Sequence, residues 1–80
     1  MKIKLKIYGI EDNNKFNCGK IQTINLNNNK KRLIDLLNFI GMTKEDMSYY
    51  KFLINGQPCS IEDTIKNNDK VVIFPVLGGG

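Results

Sequence analysis

Only one stretch of this chain, Leu33 to Ile40, repeats apolar residues at helical spacing for long enough to cover a sheet. Leu33, Ile34, Leu36, Leu37 and Ile40 define its apolar side, with Lys30, Lys31, Asp35 and Asn38 on the other. Asn27-Asn28-Asn29 ahead of it offers N-cap side chains, and Gly41 stands where a left-handed helix terminator belongs. The remaining apolar segments carry the period of strands. Ile3, Leu5 and Ile7 alternate with Lys2, Lys4, Lys6 and Tyr8. Ile21, Ile24 and Leu26 read as an antiparallel partner of that strand, reached through a long loop whose Phe16 is a candidate to fold onto the core. Thr43 caps one further helical turn. Tyr50 to Ile54 is a third strand, ended by Asn55-Gly56, a tight-turn pair, and Pro58-Cys59 suits a short edge strand. Ile61 and Ile65 tuck inward from a short turn, Asn67-Asn68-Asp69 is a turn, and Val71 to Phe74 is the last strand, stopped by Pro75.

Eighty residues make one domain. With one helix, only one face of a mixed four- to five-stranded sheet can be covered. A right-handed crossover through that helix lets the first and last strands pair in parallel at the sheet centre. This ββαββ order predicts an α+β protein of the β-grasp type, with a domain over residues 1–75 and a tail over 76–80. Phe52, Ile54, Val71 and Ile73 suit the core. Leu53, Val72 and Phe74 then face outward, with Tyr8 beside them. An exposed apolar cluster of this kind marks a docking surface. The alternative, a central strand covered on both faces, lacks any second element to cover it.

Composition removes several kinds of chemistry. The chain has no histidine, which excludes a histidine base, Ser-His or Cys-His nucleophile pairs and histidine-bound zinc. Its two cysteines, Cys18 and Cys59, form no C-x-x-C and read as inert thiols. There is no P-loop and no G-x-G-x-x-G, so no bound cofactor or metal is expected. The acidic pairs Glu11/Asp12 and Glu62/Asp63 read as solvated surface. The net charge is +4, but the lysines are dispersed along the sequence and Arg32 is the single arginine. That pattern reads as a solvated basic surface and not as a nucleic-acid interface. The longest apolar run, Val71 to Phe74, is too short to span a membrane. The alternating N-terminus lacks the unbroken apolar stretch of a signal peptide, and the expected location is the cytoplasm. Function should therefore lie in being bound or being modified.

The chain ends Val76-Leu77-Gly78-Gly79-Gly80. Glycines offer no side chain to pack and lose most entropy on ordering. From Pro75 onward the chain could reach on the order of 20 Å beyond the sheet. Such a strip can thread a narrow channel in a partner, where the Gly80 carboxylate can be captured or, after adenylation, made electrophilic. The alternative is a frayed terminus without a role.

Asn55-Gly56 after an apolar strand, Asp63-Thr64-Ile65, Asn68-Asp69-Lys70-Val71-Val72-Ile73-Phe74-Pro75 and the final Gly79-Gly80 together resemble the MoaD/ThiS superfamily of ubiquitin-like sulfur carriers. The pattern is most similar to the small subunit of molybdopterin synthase, whose chains end in Phe-Pro, a short apolar spacer and Gly-Gly. Residues 9–19 do not read as the helix usual there, Val76 stands where a second proline is frequent, and Asn68 replaces a glycine. The resemblance implies a carrier and not an enzyme. A ubiquitin-activating-like adenylating enzyme would dock on Leu53, Val72 and Phe74 and draw in Pro75, Val76, Leu77 and Gly78. Gly79 would leave room in its channel. ATP, bound by that partner, would activate Gly80, which would become a thiocarboxylate and donate sulfur inside a large synthase subunit. A thiamine-pathway carrier, a protein modifier joined through Gly80 and a plain interaction module remain the alternatives.

Overall fold

The computed structural model describes residues 1–8 and 19–76. Its strands are β1 (Lys2–Ile7), β2 (Ile21–Asn25), β3 (Tyr50–Ile54), β4 (Gln57–Cys59) and β5 (Lys70–Pro75). Its helices are α1 (Leu33–Phe39) and the single turn α2 (Lys44–Met47). The strands form one five-stranded sheet in the order β2-β1-β5-β3-β4. β1 and β5 run parallel at its centre, and the other pairings are antiparallel. The expected α+β, β-grasp architecture is therefore the observed one.

Period two explains which side chains are inside. Ile3, Leu5 and Ile7 of β1 and Val71 and Ile73 of β5 are fully buried on one face. Leu33, Leu36 and Leu37 of α1 close over them, joined by Leu26, Met42, Met47, Phe52 and Ile65. Ile54 and Ile61 pack against this cluster from its margin. Ile21 and Ile24 are separated by an odd number of residues and cannot share a face. Ile24 turns inward opposite Ile3, and Ile21, opposite Lys6, is 61% exposed.

The local signals mostly hold. Asn55 (φ 52°) and Gly56 (φ 82°) both take left-handed backbone, as a tight hairpin turn between β3 and β4 requires. Gly41 (φ 95°) ends α1, with its N–H donating to Asn38 O and the Met42 N–H to Leu37 O. Thr43 caps α2: its Oγ1 accepts from the Asp46 N–H at 3.1 Å while its own N–H donates to Asp46 Oδ2 at 2.9 Å. The start of α1 differs from expectation. Asn27–Asn29 form a turn closed by the Lys30 N–H on Asn27 O, and the N-cap is Arg32. The Asp35 carboxylate accepts from the Arg32 N–H at 3.0 Å. The Leu33 and Ile34 N–H groups donate to the carbonyls of Asp63 and Ile61. A distant loop thus caps this helix, which no local reading could foresee. Phe16 and Cys18 lie outside the described residues.

Candidate functional site: the open sheet face and the end of β5

The face opposite α1 carries the alternate residues of every strand. On β5 these are Lys70, Val72 and Phe74; on β3, Lys51 and Leu53; on β1, Lys2, Lys4 and Lys6, with Tyr8 just beyond; on β2, Ile21, Thr23 and Asn25; on β4, Pro58. The registers set their neighbours. Val72 sits between Lys6 of β1 and Leu53 of β3, and Leu53 sits between Val72 and Pro58. Phe74 lies opposite Lys51, and Lys4 lies opposite Lys70. Leu53, Val72 and Phe74 are half-buried, so the structure brings together the three residues read as facing outward. The Lys6 ammonium rests 4.8 Å from the centre of the Tyr8 ring, a cation–π distance.

The end of β5 is fixed by backbone. Pro75 pairs with Tyr50, and the Val76 N–H donates to the Tyr49 carbonyl at 2.8 Å. Proline lacks an N–H, so this bond from the next residue is what holds the strand end against β3. Val76 itself is 37% exposed. Strand β5 ends at Pro75, one residue past Phe74 of the open face. Leu77, Gly78, Gly79 and Gly80 lie outside the described residues.

Two features lie away from this corner. Cys59 is half-buried opposite Phe52, on the helix side of the sheet. Burial raises its thiol pKa, and the Asp63 carboxylate adds to the rise. A raised pKa disfavours the nucleophilic thiolate, which fits an inert thiol. A cavity of about 460 Å³ is lined by Met1, Asn28, Lys31, Thr64, Ile65, Lys66 and Asn67. It opens where β1 begins, at the end of the sheet opposite Val76. Among the described residues, no group of three or more histidine, cysteine, aspartate or glutamate side chains gathers where it could hold a metal ion. No helix among them is long and apolar enough to cross a membrane.

Reading the sequence alone missed the lysines. They are dispersed along the chain, yet Lys2, Lys4, Lys6, Lys51 and Lys70 share one sheet face. The signal was present as lysine at alternate positions of β1 and two residues before Leu53 and Val72, where strand parity puts each lysine on the same face as the apolar residue. Only the strand pairing joins those segments.

No family model matches the chain, and no curated protein matches it. Solved structures do match. SAMP1 from Haloferax volcanii is 13% identical, with all of both chains covered and a TM-score of 0.73. The protein of Pyrococcus furiosus named as molybdopterin converting factor subunit 1 is 20% identical, covers 95% of this chain and 98% of its own, and gives a TM-score of 0.72. A further structure, of small archaeal modifier protein 1 from H. volcanii, is 11% identical with the same coverage and a TM-score of 0.72. Each match covers 95% or more of this chain, and the chain has the ubiquitin-like β-grasp fold of these proteins.

Proposed function

We propose that this chain is a ubiquitin-like sulfur carrier, itself a substrate of a partner enzyme, that acts in molybdopterin biosynthesis. The observation that carries the reading is the end of β5. The central strand β5, whose end is held to β3 by the Val76–Tyr49 bond, stops beside the half-buried Phe74, and the sequence that follows is Leu77-Gly78-Gly79-Gly80. The fold supports it, since one similar structure is named as a molybdopterin converting factor subunit.

The chemistry follows from the weak electrophilicity of a carboxylate. The Gly80 carboxylate attacks the α-phosphate of ATP held by an adenylating enzyme, and pyrophosphate leaves. A sulfur nucleophile supplied by a donor then displaces AMP from the acyl-adenylate and leaves a thiocarboxylate. Within a large synthase subunit the thiocarboxylate sulfur bonds to an electrophilic carbon of a pterin precursor, and water then cleaves the acyl–sulfur bond, leaving the sulfur on the precursor and restoring the carboxylate. Leu53, Val72 and Phe74 dock the carrier, residues 75–78 enter the channel, and Gly79 keeps that channel free of a side chain. The chain binds no cofactor of its own in this scheme. The cytoplasm, which holds ATP, is the compartment the scheme requires.

The test is intact-mass analysis after incubation with the adenylating enzyme of the same genome, ATP and a sulfur donor. An oxygen-for-sulfur mass gain confined to Gly80 is expected. No gain with any such enzyme would remove the reading. Two similar structures are of archaeal modifier proteins, which favours a second role, conjugation through Gly80. Lysine side chains bearing the C-terminal glycines of this chain, found by peptide mass spectrometry of cell extract, would establish it. If deleting Gly79 and Gly80 leaves the cell's phenotype intact, both readings give way to a plain interaction module.

A further inference from the structure

We infer that the partner surface received by the open sheet face is acidic, with an apolar centre, and that Lys4, Lys6, Lys51 and Lys70 steer it into place. This rests on the carrier reading and specifies the partner that the reading invokes. The first observation is a segregation of charge. Among the described residues, no strand contains an aspartate or glutamate, while strand positions of the open face hold Lys2, Lys4, Lys6, Lys51 and Lys70. The acids of the described residues lie elsewhere and are mostly engaged. Asp35 and Asp46 cap the helices, and Glu62 pairs with Arg32. Asp63 accepts from the Ser60 N–H and Asp69 from the Lys66 N–H.

The second observation is the arrangement. Lysines border the apolar strip: Lys6 beside Val72, Lys51 beside Phe74, and Lys4 and Lys70 side by side at the end nearer the start of β5. Placing two ammonium groups opposite each other across a ladder disfavours folding, and an isolated protein gains nothing from it. A partner carrying carboxylates at matching positions reverses the sign of that interaction. Same-sign fields on one face also raise the rate of encounter with an opposite surface, in a manner that salt suppresses.

An acidic protein surface fits this face better than a nucleic acid does. Phosphate backbones favour arginine and a continuous cationic track. Here the only arginine, Arg32, sits at the N-terminus of α1, and Val72 and Leu53 interrupt the lysines at the middle of the sheet.

The experiment uses the full chain and the adenylating enzyme of the same genome, read by ATP–pyrophosphate exchange as carrier concentration varies. Lys4→Glu, Lys51→Glu and Lys70→Glu are each expected to raise KM for the carrier by about tenfold or more, with kcat little changed. Lys51→Arg should restore KM near the original value. For the unaltered chain, KM should climb steadily between roughly 0.05 and 0.5 M salt as screening shortens. Circular dichroism confirms that each variant is folded. Exchange that proceeds with KM indifferent to charge reversal and to salt overturns the inference and leaves the carrier reading standing. Exchange absent for the unaltered chain at every salt concentration overturns both. Anisotropy with a labelled single-stranded oligonucleotide is the third arm: tight binding lost in Lys51→Glu would reassign the face to nucleic acid and also overturn the inference.

Discussion

Lys4 and Lys70 face each other across the parallel β1–β5 ladder, both exposed. Like charges so placed repel, so removing one should help the isolated fold. Lys4→Thr is expected to raise unfolding stability by roughly 0.2–1 kcal/mol at low salt. The gain should shrink toward zero near 1 M salt, where the Debye length is about 3 Å. Urea unfolding at two ionic strengths checks it, and an equal gain at both would assign the effect to strand propensity instead. Cys59 gives a second residue-scale expectation. Burial first, and the Asp63 carboxylate second, hold its folded pKa above the unfolded value. The stability tied to that neutral thiol is therefore complete below the unfolded pKa of about 8.5 and is lost as pH rises through the higher folded one. In a Cys18→Ser background, Cys59 should react with iodoacetamide more slowly in the native chain than in urea at the same mildly alkaline pH. Equal rates would show that the folded thiol is not protected. The residue scale was legible where backbone chemistry dictates the answer, as at Asn55-Gly56, whose left-handed φ values follow from residue type. It was not legible at Lys4 and Lys70, because sixty-odd residues of chain separate two side chains that the parallel register makes neighbours.

At the scale of elements, α1 is the main cover of the sheet among the described residues. Leu33, Leu36 and Leu37 are all fully buried against the strands. Truncating the middle one, Leu36→Ala, leaves a void that a seven-residue helix cannot close. A loss of about 2–5 kcal/mol is expected, which is most of the stability a domain this small possesses. Thermal and urea unfolding check it, and a loss below about 1 kcal/mol would mean the helix is not essential cover. Length and apolar face of α1 were readable because its period lies within a single segment. Its starting point was not. The Asn27–Asn29 side chains are sound local caps, but the loop over residues 61–63 brings carbonyls to the Leu33 and Ile34 N–H groups and so starts the helix after Arg32. The 61–65 segment is anchored in turn by buried Ile65, whose N–H donates to Lys31 O. Tertiary hydrogen bonds therefore outcompeted the local signal.

For the molecule as a whole, the core formed by the described residues spans Ile3 to Ile73. A chain ending at Val76 should keep its thermal midpoint and its circular dichroism spectrum, because the Val76–Tyr49 bond that finishes the sheet is retained. The same truncation should abolish any mass gain in the sulfur-transfer assay. A truncated chain that melts much lower would show that the glycine terminus contributes to the fold, contrary to its proposed use as a reacting end. Both outcomes come from one preparation. The sheet itself illustrates why the overall topology was predictable. One helix and strands of matching length leave few ways to bury two apolar faces, and the crossover rule fixes the hand of the β1–α1–β5 path.

Residue order alone determined the elements, the residues that fill the core and the polarity of each strand face, since these depend on spacing within a segment. Tertiary structure decided which residues of the open face meet: Leu53 with Val72, Lys51 with Phe74, and Lys4 of β1 with Lys70 of β5. Pairing register is a long-range property, set when burial of one face locks every strand against its neighbours. The charged border of the open face exists only once that locking has occurred.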